Sequence, residues 1–108
     1  LKNDERFVMK KFAMKDLLVA KNEEILLITQ EECAEVTQAI SKVFRFGMED
    51  TFNGISNREH LEEEVGDLLC MIDLLIDSGM LDETSVMAAR SAKLNKLKKW
   101  TGIFKEVA

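Results

Sequence analysis

Two short stretches carry residues that could do chemistry. "QEECAEV" at 30–36 and "EEEVGDLL" at 62–69 both set acids one helical turn apart among apolar neighbours. An α-helix advances about 100° per residue, so Glu32 and Glu35 stand about 60° apart and Glu31 about 40° from Glu35. Glu64 and Asp67 repeat the three-residue step. Ile28 and Val36 flank Glu32, Leu61 and Leu68 flank Glu64, and Cys70 and Met71 follow Asp67. These positions border an apolar stripe. If the two helices pack antiparallel, the acid pairs face one another. Carboxylates about 5 Å apart at an effective dielectric of about 20 repel by roughly 3 kcal/mol per pair. A domain's whole stability is only about 5–15 kcal/mol. Such a cluster takes up protons, loosens the fold, or holds cations. All-oxygen donors suit Mg²⁺, with Mn²⁺ able to substitute. The competing expectation is a pair of solvated acidic helix faces.

Other chemistries are poorly supplied. His60 is the sole histidine, so no Ser/His/Asp set exists, and no GxxxxGK[ST] phosphate loop is present. A ferritin-like di-iron site wants Glu-x-x-His motifs. His60 precedes Glu64 by four residues, does not make that motif, and reads as a surface residue. Cys33 and Cys70 form no CxxC pair, which argues against zinc. They read as small buried thiols in a reducing cytoplasm. Among 108 residues, 15 are basic and 20 acidic, for a net charge of −5. That balance disfavours a nucleic-acid partner, which wants a basic surface. "ILLI" at 25–28 is far too short to span a bilayer, so neither a membrane partner nor a leader is expected.

The elements that must position the acids read as helices throughout. The length predicts one domain over 1–108. There is no Pro and there are five Gly, so long helices can run with few breaks. Apolar spacing predicts a first helix over 4–20. Asn22 is a candidate N-cap for a second, with Glu23 and Glu24 in its first turn, running to Phe46 and closed by Gly47. Residues 47–56 read as a polar loop. Ser56 and Glu59 match a capping box for a third helix, which stops at Ser78-Gly79. Asp82 can cap a fourth, ending near Trp100. The expectation is all-α: four antiparallel helices and no strands. Within the third, "LLCMIDLLI" at 68–76 is apolar nearly all round. Such a helix is buried on more than one side, which predicts association of at least two copies. Gly66, mid-helix, would be justified by close approach of another helix or by room for a metal-bound ligand; the competing reading is mere tolerance of a glycine there. Phe44, Phe46 and Phe52 read as core or loop anchors. Trp100 could stack on a base, but packing of the last helix on the bundle is the favoured reading.

Glu32-x-x-Glu35 followed by Glu64-x-x-Asp67 resembles the E-x-x-E…E-x-x-D pattern of the MazG-like all-α nucleotide pyrophosphohydrolases. "EECAEVTQAISKVFRFG", "NREHLEEEVGDLLCMIDLL" and "KLNKLKKW" look similar to small phage and bacterial members. The resemblance covers about residues 25–100, and the first helix matches only in type. It implies a MazG-like helical bundle associating into homodimers or homotetramers. It implies Mg²⁺-dependent hydrolysis of nucleoside or deoxynucleoside triphosphates to monophosphate and pyrophosphate, in a bacterial cytoplasm or a phage host's. By the same resemblance Glu32, Glu35, Glu64 and Asp67 hold the metal, and Glu31 binds a further ion or positions the attacking water. Lys42, seven residues after Glu35 and so on the same face, is a candidate substrate contact. Lys93 and Lys96 lie where that family carries phosphate-contacting basic residues, and Asn95 could meet sugar or phosphate. Leu97 stands where that family often has Arg, with Lys96 as the substitute. The alternative is a non-enzymatic helical homodimerisation module whose acids are solvated.

Overall fold

A computed structural model describes residues 14–106, with side chains from residue 21 onward. Among the described residues there are three helices: α1 (Met14–Phe46), α2 (Asn57–Asp77) and α3 (Glu83–Trp100). A two-stranded antiparallel hairpin, β1 (Thr51–Phe52) and β2 (Ile55–Ser56), separates α1 from α2. Most of the predicted first helix lies outside the described residues. Its described end, from Met14, runs straight into the second as one helix of 33 residues. The expected cap at Asn22 is therefore corrected. No Gly or Pro falls between 14 and 46. Extending a helix adds a backbone bond per residue, whereas stopping it leaves orphan groups at both new ends.

The expectation of no strands is also corrected. Thr51 pairs with Ser56 and Phe52 with Ile55. The turn residues Asn53 (φ 54) and Gly54 (φ 78) both sit at positive φ, as a tight two-residue hairpin requires. Asn-Gly between Thr-Phe and Ile-Ser is the strongest short hairpin signal a sequence carries, so this element was legible. Its base is tied to α2. Asn57 N–H donates to Asp50 O at 2.9 Å, Arg58 N–H to Met48 O at 2.9 Å, and the Asn57 amide to Gly47 O at 2.8 Å. Arg58 also pairs with Glu49.

The predicted helix ends hold elsewhere. Gly47 (φ 94) closes α1, and Gly79 (φ 83) follows the end of α2. Ser56 makes both halves of the capping box. Its hydroxyl accepts from Glu59 N–H at 3.0 Å, and its own N–H donates to Glu59 Oε1 at 3.1 Å. The Asp82 carboxylate accepts from Ser85 N–H at 2.9 Å and caps α3.

α1 and α2 pack along one seam. Ile25, Met71 and Leu75 form its buried end, with Ile28 and Met80 against them. Burial recurs every three or four residues, at Ile25, Ile28, Glu32, Val36 and Ala39 on α1 and at Leu61, Glu64, Leu68, Met71 and Leu75 on α2. α3 stands apart and buries none of its residues. The radius of gyration is 19.3 Å, against about 13 Å for a compact chain of about 100 residues.

Much apolar surface stays uncovered. Leu69 and Leu74 in the expected buried run are 56% and 40% exposed. Phe44, Phe46, Phe52 and Trp100 are all exposed, so none anchors the core of one chain. Cys33 and Cys70 are exposed free thiols, not buried ones. An added Cβ at Gly66 would meet nothing within 4 Å among the described residues, so neither α1 nor α3 approaches it closely. One cause accounts for all of these differences. Two packed helices can bury only the stripe each turns toward the other, and α3 adds no second layer.

Candidate metal centre and adjoining groove

The seam positions the acids. Glu32 takes the place in the α1 burial series between Ile28 and Val36, and Glu64 takes the place in α2 between Leu61 and Leu68. They therefore lie within the packed stripe rather than beside it. Glu64 is 8% exposed. Glu32, Glu64 and Asp67 each bring a carboxylate oxygen within 4.8 Å of the other two. Glu32 Oε2 is buried and has no hydrogen-bond partner among the described residues. Burial of the Glu32 carboxyl raises its pKa above the ordinary glutamate value, and the charges of Asp67, Glu64, Glu35 and Glu31 raise it further.

A buried acceptor without a donor is costly unless something fills the need. A proton or a cation can fill it here. The donor set is all oxygen and carries negative charge from two helices, which suits a hard divalent ion. Oxygens on one Mg²⁺ lie about 3–4 Å apart, given metal–oxygen distances of about 2.0–2.1 Å. The observed spread, up to 4.8 Å, is only slightly wider. The residues fit a divalent cation.

The other expected site residues fall into three groups. Glu31 and Glu35 are exposed on α1. They stand outside the close set of three but near enough to raise the Glu32 pKa. Lys42 lines an open groove of about 570 Å³ between the end of α1, the hairpin and the start of α2. Lys93, Asn95 and Lys96 are exposed on α3, which shares no packed face with α1 or α2. Within one chain, the structure does not bring those three to the acids.

His60 is a residue whose place the sequence reading missed. It is half-buried and lines the groove with Phe46, Asp50, Phe52 and Asn53. Its Nε2 lies 3.7 Å from Glu64 Oε1. The signal was its position: four residues before Glu64, on the same helical face. The groove therefore opens next to the acid cluster.

A helical pair that sets three acids of its own seam within 4.8 Å of one another could hold a divalent cation. The chain belongs to the MazG nucleotide pyrophosphohydrolase family, whose domain model matches residues 20–101. That span takes in every acid of the cluster and the exposed lysines of α3. Neither a curated protein nor a solved structure gave a match. Among the described residues, no helix is long and apolar enough to cross a membrane.

Proposed function

We propose that this protein hydrolyses nucleoside or deoxynucleoside triphosphates to the monophosphate and pyrophosphate, using Mg²⁺, with residues 1–108 as one domain. The observation that carries the reading is the unpartnered, buried Glu32 Oε2 beside Glu64 and Asp67, in a chain of this family. Glu32, Glu64 and Asp67 hold the metal, and Glu35, one turn from Glu32, completes the set on its exposed side. Bound there, Mg²⁺ would polarise phosphoryl oxygens and make water a better nucleophile. Glu31, exposed at the cluster edge, orients the attacking water and takes its proton.

The reading includes self-association, as a dimer or tetramer. Its support is the uncovered apolar face of α2 and the unpacked α3. On α3, Arg90, Lys93, Lys96, Lys98 and Lys99 outnumber the single acid, Glu83. That basic arm complements the acidic α1–α2 pair, and in a second copy it would bring Lys93, Asn95 and Lys96 to the substrate phosphates. Incubation with a deoxynucleoside triphosphate and Mg²⁺ should release monophosphate and pyrophosphate in equal amounts. Inorganic phosphate should appear only once a pyrophosphatase is added. Accumulation of diphosphate with free phosphate would overturn the reading.

A further inference from the structure

We infer that the groove beside the acid cluster holds the nucleoside end of the substrate, with Phe52 as the ring on which the base stacks. The inference rests on the proposed function, because it takes the phosphates to sit at the acids. Continuity of the two sites carries it first. His60 belongs to the groove wall, and its Nε2 is 3.7 Å from Glu64 Oε1 in the cluster. A ligand anchored by its phosphates at Glu32, Glu64 and Asp67 thus has its remaining part at the groove mouth.

The chemistry of the wall points the same way. Phe46 and Phe52 line the groove with 58% and 77% of their surface exposed. Exposed aromatic faces are stacking platforms for bases of any identity. The Arg45 guanidinium lies 5.1 Å from the Phe46 ring centroid, so Phe46 is partly engaged and Phe52 is the freer ring. Asp50, Asn53 and Asn57 add hydrogen-bonding groups beside the rings. The Asn57 amide nitrogen already donates to Gly47 O, which leaves its oxygen as an acceptor. Lys42 supplies a cation on the α1 side. A groove of about 570 Å³ is in the range of small-molecule sites, and a phosphate chain alone has no use for two aromatic rings.

The wall is also held in place. The Asn53-Gly54 turn presents Phe52, and the backbone bonds of Asn57 and Arg58 to residues 50 and 48 fix the hairpin to α2. A preformed platform loses little freedom when a base docks.

The test compares two probes by calorimetry in the presence of Mg²⁺. One is a non-hydrolysable deoxynucleoside triphosphate carrying an α,β-imido bridge; the other is inorganic tripolyphosphate, which lacks the nucleoside. The nucleotide should bind about tenfold or more tightly than tripolyphosphate, in line with stacking on one ring. Phe52→Ala and Phe52→Leu should erase most of that preference, and Phe52→Trp should keep it. Phe44→Ala, an exposed phenylalanine outside the groove, serves as the control and should keep it too. Equal binding of the two probes by the unaltered protein would overturn the inference. So would a Phe52→Ala variant that changes the oligomer but not the preference, since the groove would then be a contact between copies. Because the analogue is not turned over, a failure of hydrolysis would sink the proposed reaction and leave this binding result to stand or fall separately.

Discussion

Glu32 on α1 and Asp67 on α2 are brought within 4.8 Å, oxygen to oxygen, across a helical seam with Glu64 as the third donor. Asp67 and Glu64 are also the two foremost charges raising the Glu32 pKa. The pair is therefore unfavourable by itself and favourable around a cation, which makes its energetics measurable.

The melting temperature should rise with millimolar Mg²⁺ or Mn²⁺. A ligand present at about 100 times its dissociation constant adds about 2.7 kcal/mol to stability. Asp67→Asn and Glu64→Gln should blunt the rise. Scanning calorimetry with and without the ions checks this, and no shift with either ion would favour the solvated-face reading.

Glu32→Gln should stabilise the metal-free protein while weakening its response to Mg²⁺. The neutral amide removes the like-charge repulsion and keeps the shape. The sign with pH follows from the raised pKa. Below about pH 4.3, the ordinary glutamate value, Glu32 is protonated in folded and unfolded chains alike. Above it, the unfolded chain ionises first, so Glu32's contribution to stability is lost as pH rises toward its raised folded value. The melting difference between Glu32→Gln and the parent should open over that window. Glu49 works in the opposite direction: the Arg58 hydrogen bond lowers its pKa, and its contribution is lost as pH falls through that lowered value.

Sedimentation at micromolar concentration should give a dimer or tetramer. Leu69→Asp, at a position 56% exposed in one chain, should shift the protein toward its 12.3 kDa monomer. A well-folded monomer for the unaltered chain would count against burial of this face.

If α3 of a second copy supplies the phosphate contacts, two crippled variants should complement each other. Glu64→Gln and Lys93→Ala should each lose most activity. Co-refolding them should restore about a quarter of it, since a statistical dimer mixture is half heterodimer and each heterodimer carries one intact site. No recovery above the separate variants would place Lys93 outside the composite site.

Removing the capping box with Ser56→Ala should cost about 1 kcal/mol, read as a lower urea midpoint. Ser56 joins the hairpin to α2. In an assay of the proposed reaction, the same change should raise KM more than it lowers kcat.

Local chemistry made several features legible in the sequence. Ser56 with Glu59 and Asp82 announce helix starts, because a side-chain oxygen there meets orphan N–H groups. Gly47 and Gly79 announce ends, because only glycine takes positive φ at no steric cost. The three-residue steps at Glu32/Glu35 and Glu64/Asp67 placed each pair on one face by helical geometry alone. Asn53-Gly54 announced the hairpin too, though reading the segment as a polar loop passed over it.

Packing decided the rest. Asn22 could have capped a helix, but a chain with no breaker from 14 to 46 keeps its ladder, and no local rule says which outcome wins. Glu35 and Asp67 have the same local pattern, yet Asp67 joins the close cluster and Glu35 does not. That depends on the register of α1 against α2, which only contacts between the helices set. His60 became part of a groove wall because the hairpin folds back on the start of α2. Lys93 stayed away from the acids because α3 packs on neither α1 nor α2. Residue types and spacings determined which helix faces carry charge. The tertiary structure determined which faces meet, because burial is a property of pairs of elements and not of one.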